Sequence, residues 1–144
     1  EAKEFIERYF LRYPGIRTYI DETKRFAKAN GYVTTLFNRR RYLPEINDRN
    51  FNIQQFAERT AINTPIQGTA ADIIKKAMIQ IQGKLEGLRT RMVLQVHDEL
   101  VFDVHKEELQ EVREIVKNGM EKVIKLKVPL VADIGVGDNW LEAK

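Results

Sequence analysis

Apolar positions along this chain recur first at helical spacing, then at strand spacing, with Pro, Gly and Asn marking the changes. Phe5, Ile6, Tyr9 and Phe10 share one helical face in "EAKEFIERYFLRYPG", and Pro14-Gly15 is a turn pair that stops the run. A second helix is predicted over 16–30, with Ile16, Tyr19, Ile20, Phe26 and Ala27 inward and Asn30-Gly31 at its end. "YVTTLFNRRRYLPEI" then reads as two short strands around Asn38-Arg39, closed by Pro44.

A third helix is predicted from about Ile53, with a break or kink near Pro65, because proline lacks a donor and disfavours helical geometry at Thr64. Thr69 with Asp72 three residues on has the form of a capping box. From there Ile73, Ile74, Ala77, Met78, Ile81 and Leu85 make one apolar face. "RMVLQVHDELVFDV" predicts a hairpin, and a helix follows over 105–126 with Leu109, Val112, Ile115, Val116, Met120 and Val123 inward. "VPLVADIGVG" is read as a final strand leading to Trp140, which is expected to fill the core. This order predicts an α+β chain: an antiparallel sheet with long helices on one face, preceded by a helical segment with a small β-hairpin.

The length of 144 residues suits one domain, or one and a part. No apolar run approaches a membrane span, and no membrane partner is expected. Cysteine is absent and only His97 and His105 are present, which argues against thiolate or histidine-rich zinc sites. Any metal should be a hard ion on carboxylates. The net charge of +3 is uneven: residues 1–76 carry 14 Lys/Arg against 9 Asp/Glu (+5), and residues 77–144 carry 10 against 12 (−2). That division suits a chain that holds a polyanion with one half and presents carboxylates with the other. The chain opens on Glu1 already in helical rhythm, so a piece of something longer is expected.

Chemistry concentrates in two places. His97-Asp98-Glu99 puts three ionisable side chains between two apolar strands. They are either a solvated hairpin tip, a salt-bridged pair, or groups facing a cation, a phosphate or a nucleic-acid end. Arg59, Asn63 and Gln67 recur every four residues and share a helix face. They are either an exposed polar stripe or donors to the N3 and O2 acceptors of the DNA minor groove. Gly68 is a packing or turn glycine; "NRRRY" and Lys75-Lys76 are basic runs that are solvated or meet phosphates. "GVGDNW" is too short for a nucleotide fingerprint, and an internal "HDEL" is no retention signal.

Together, "RRRYLPEI", "AERTAINTPIQGTAADIIKKAM", "LQVHDELVFDV" and "VPLVADIGVGDNW" resemble, in order, the C-terminal end of bacterial family A DNA polymerases. The resemblance implies that residues 1–52 close the fingers and 53–144 form most of the palm, without its upstream strand. It implies that Asp98 is one of two aspartates holding catalytic Mg²⁺, that Glu99 assists, and that His97 touches the primer terminus. Arg59, Asn63 and Gln67 would line the primer-template minor groove. The expected partners are primer-template DNA, dNTP gripped mostly from outside this chain, and the remainder of the polymerase.

The implied activity is DNA-directed DNA synthesis in replication or repair, in the bacterial cytoplasm at the nucleoid. The family's other metal aspartate has no counterpart here, so the two-metal site is incomplete and the isolated chain is expected to be inactive. Two other readings compete: a non-catalytic nucleic-acid-binding module, and a metal-dependent nuclease using Asp98, Glu99 and a further carboxylate such as Asp103.

Overall fold

The structure, a computed structural model, describes residues 2–143. It is α+β, and it divides into two compact units, residues 1–69 and 70–144. The long helix α3, Phe51–Lys84, contributes its first part to one unit and its last part to the other.

In the first unit, α1 (Ala2–Arg12) and α2 (Pro14–Asn30) follow the predicted helices. Pro14 does not precede α2 but opens it, since the first helical position needs no N–H donor and its fixed φ suits the helix. Gly31 ends it at φ 76, donating its N–H to the Ala27 carbonyl. The strands β1 (Tyr32–Thr34) and β2 (Arg40–Tyr42) pair antiparallel, with Val33 opposite Arg41. Pro44 begins a 3-10 turn, Pro44–Asn47. Ala27, Val33, Leu43, Ile46, Ala57 and Ala61 form the core, so α2, the hairpin and α3 meet on one small apolar centre. The aromatic face expected inside α1 lies open instead: Phe5, Ile6 and Tyr9 are exposed, and α1 has no buried residue. Its Tyr9 ring packs against Phe10 and against Tyr13, just beyond the helix.

Of the break or kink expected at Pro65, the break does not occur. The helix runs through it, although Pro65 has no N–H for the Ala61 carbonyl. Hydroxyls flank the missing rung: Thr64 donates to the Thr60 carbonyl at 2.7 Å, and Thr69 to the Pro65 carbonyl. Thr69 is therefore mid-helix and caps nothing; the capping-box reading fails because the turn before it never leaves helical geometry.

In the second unit, β3 (Arg91–Val96) and β4 (Glu99–Asp103) make the predicted hairpin, with a register shift between Met92 and Leu94. A 3-10 turn, Lys106–Glu108, leads into α4, Leu109–Glu121. Ala77 and Ile81 of α3 and Leu85 just beyond it pack with Val112 of α4 and Val123, and Met92, Leu100 and Phe102 of the hairpin lie against them. The Glu108 carboxylate joins the start of α4 to the start of β3. It accepts the Arg89 and Thr90 N–H groups at 2.9 and 3.0 Å and the Thr90 hydroxyl at 2.7 Å.

The final strand expected over 128–137 does not form. Burial alternates from Leu130 to Gly135 as a strand's would, but no ladder partner exists among the described residues, and a strand is defined by its ladder. Gly135 and Gly137 instead let the chain end fold back: a Cβ on either would collide with Ala143 or Glu142. Trp140 is 44% exposed, so it does not fill the core. No described helix is long and apolar enough to cross a membrane.

Candidate functional site

The first candidate group is the β3–β4 tip. Val96 pairs with Glu99, which leaves His97-Asp98 as a two-residue turn. Such turns need a left-handed residue, usually Gly or Asn. Here His97 occupies that position at φ 54, and Gln95 Nε2 donates to its carbonyl at 2.9 Å. His97, Asp98 and Glu99 are all exposed, while Leu100 and Phe102 root the hairpin in the core. The charges therefore project from a rigid base into solvent and do not enter the apolar interior.

The second group lies on α3. Arg59, Asn63 and Gln67 are exposed along one side, while Ala57, Ala61 and Thr64 are buried on another. Arg59 extends over Phe56, 6.0 Å from its ring centroid. Neighbouring positions fix the helix beneath the stripe. Glu58 accepts Lys24 at 2.8 Å and Lys28 at 2.6 Å, which holds its carboxyl below the usual range, the hydrogen bond from Lys24 first. Tyr19 donates its hydroxyl to the Ile62 carbonyl at 2.8 Å, and burial raises its pKa. Arg39 donates to the Gly68 carbonyl at 3.1 Å.

The stripe belongs to the first unit and the turn to the second. Asp103, the third carboxylate of the nuclease reading, pairs with Arg91 at the far end of β4 from Glu99. Four residues of strand separate them, about 13 Å, so that ligand set does not assemble. Among the described residues no group of three His, Cys, Asp or Glu could hold one metal. Asp98 and Glu99 are nonetheless the hard oxygen donors a Mg²⁺ ion takes, and one or two such carboxylates completed by other ligands is an ordinary way to hold it.

Two residues had roles that their local sequence did not suggest. Arg39 looked like a phosphate contact and Thr69 like a cap, yet both bind the hairpin turn to α3: the Leu36 N–H donates to the Thr69 hydroxyl at 3.0 Å. The one available signal was the spacing of Thr69 from Pro65, the i, i+4 distance at which a threonine hydroxyl reaches back to a carbonyl.

Comparison with known proteins identifies the family. The family profile "DNA polymerase family A" matches residues 1–142. DNA polymerase I of Streptococcus pneumoniae is 59% identical over the whole of this chain, and that of Geobacillus stearothermophilus is 55% identical. The chain spans 17% of the length of each of these relatives. The POL domain of Pol1 from M. smegmatis, solved in complex with DNA primer-template and dNTP, superposes with a TM-score of 0.97. It is 45% identical over 99% of this chain and 26% of that one. The chain belongs to DNA polymerase family A.

Proposed function

We propose that this chain is the closing part of the fingers (1–52) and most of the palm (53–144) of a DNA-directed DNA polymerase. The parent protein adds dNTPs to a primer 3′ end as a template directs, in bacterial replication or repair at the nucleoid. Asp98 would hold catalytic Mg²⁺ with a second aspartate from elsewhere in the parent, and Glu99 would assist. Bound Mg²⁺ would neutralise charge on the transferring phosphoryl group and on the attacking and leaving oxygens. His97 contacts the primer terminus. Arg59, Asn63 and Gln67 donate to minor-groove acceptors that all correct base pairs present in similar places.

The observation that carries this reading is His97 at φ 54, beside two exposed carboxylates. A side chain kept where glycine is easier costs about 1–2 kcal/mol, and such strain collects at sites where the side chain is used. A solvated tip would have no use for the imidazole. The primer-template and dNTP bound by the M. smegmatis domain support the same partners here.

The test is extension of a labelled primer by the full-length protein with one nucleotide at a time. Addition of only the nucleotide complementary to the template, stopped by chelator and restored by Mg²⁺, is expected. Primer shortening would favour a nuclease. Binding of primer-template without extension would favour a non-catalytic module.

A further inference from the structure

We infer that the turn of the β1–β2 hairpin is a brace that aims Gln67, and that Gly68 and Thr69 are positioning residues through which it acts. This rests on the reading of Gln67 as a minor-groove donor. The helix is weakest just before that residue, because Pro65 cannot complete the rung to the Ala61 carbonyl. Its local orientation must be fixed from outside.

Three contacts from the turn land on the two residues that follow Gln67. The Thr35 methyl lies so close to Gly68 that a Cβ there would stand 2.8 Å from it. Arg39 donates to the Gly68 carbonyl at 3.1 Å. The Leu36 N–H donates to the Thr69 hydroxyl at 3.0 Å, and that hydroxyl spends its own proton on the Pro65 carbonyl.

The brace is itself stiff. Thr35 Oγ1 accepts the N–H groups of Phe37 and Arg39, both at 3.2 Å, and Asn38 turns the chain at φ 61. Thr35 is 3% exposed and Thr69 7%, so water is poorly placed to replace these bonds. Turning α3 about its axis at Gln67 would break all three contacts at once. An exposed side chain thus projects from a backbone that is held on its other side, the arrangement a geometric sensor of base-pair width requires.

The test uses the full-length polymerase, extending matched and mismatched primer ends, with a thermal melt of each variant. Gln67→Ala reports on the underlying reading: it should slow matched ends, by about three- to tenfold for one hydrogen bond, and mismatched ends little. Thr69→Val, which keeps the shape and loses the hydroxyl, should narrow the matched-to-mismatched ratio in the same direction. Thr69→Ser should restore it. Added to Gln67→Ala, Thr69→Val should narrow the ratio no further, because both act through one side chain. Gly68→Ala, which displaces Thr35, is the second route and should also narrow the ratio.

If Gln67→Ala narrows the ratio while Thr69→Val and Gly68→Ala slow both substrates equally, the brace is overturned and the reading of Gln67 stands. If Gln67→Ala leaves the ratio unchanged, that reading falls and the brace with it. Should Thr69→Val fail to fold, Gly68→Ala decides alone.

Discussion

Gly119 of α4 lies against Ile81 of α3 so closely that a Cβ on the glycine would stand 2.4 Å from Ile81 Cγ1. Ile81 is fully buried, so it has no free space to yield. Glycine inside a helix usually costs about 1 kcal/mol relative to alanine, and Gly119→Ala would ordinarily stabilise. Here the sign reverses: overpacking should destabilise by about 1–3 kcal/mol. Denaturant unfolding of the full-length protein, with hydrogen exchange read at α4, checks this. Slower exchange in the variant would contradict the packing.

The Glu108 carboxyl is lowered from 4.5 to about 2, chiefly by the Arg89 N–H and then by the Thr90 hydroxyl. A group whose folded pKa is depressed contributes stability that is complete above its unfolded value and is lost as pH falls toward the folded one. The second unit should therefore weaken between about pH 4.5 and 2, and little from this group above that window. Glu108→Gln should flatten this part of the profile while lowering stability at neutral pH. Melting curves of both proteins across acid pH provide the check.

His97→Gly separates strain from use. Glycine accepts φ 54 freely, so the variant should keep or raise the melting temperature, and His97→Ala should not. If the imidazole contacts the primer end, both variants slow extension alike. A His97→Gly protein that extends primers normally would reduce His97 to a strained bystander.

Most of the helices and both hairpins were legible from periodicity and turn residues, although α1 has no buried residue and every residue of β2 is exposed. Val112 is as buried as its helical spacing implies. Val123 is buried too, although α4 spans only Leu109–Glu121 and the helix predicted over 105–126 is shorter at both ends. Asn38 turns the first hairpin as a residue tolerant of positive φ should. Pro65 does not break the helix because its local preference to end one is overridden by a buried face on either side of it: Ala57 and Ala61 before, Ile74 and Ala77 after. The segment over 128–137 misled. Its alternation is a strand's, but a ladder partner is not a property of the segment. At the candidate site, the exposure of His97, Asp98 and Glu99 at the turn and of Arg59, Asn63 and Gln67 along one helix side follows from their spacing. The close approach of Thr35 to Gly68 depends instead on contacts between residues far apart in sequence.

Purified as 144 residues, the chain should extend no primer with any divalent metal. Among its described residues no three potential ligands converge, and Asp98 with Glu99 supply carboxylates from one turn only. A gel assay with material free of intact polymerase checks this, and any template-directed extension would show that one turn suffices.

The role proposed for the Asp98 carboxylate at the β3–β4 tip is in the chemical step. Its most direct test is the single-turnover rate of nucleotide incorporation by full-length Asp98→Asn polymerase at saturating primer-template, Mg²⁺ and dNTP. Asparagine keeps the shape and removes the charge, so primer-template binding should be nearly unchanged. The rate should fall by about a thousandfold or more, ~4 kcal/mol of barrier. A rate within about tenfold of the unsubstituted enzyme, ~1.4 kcal/mol, would contradict the assignment of Asp98.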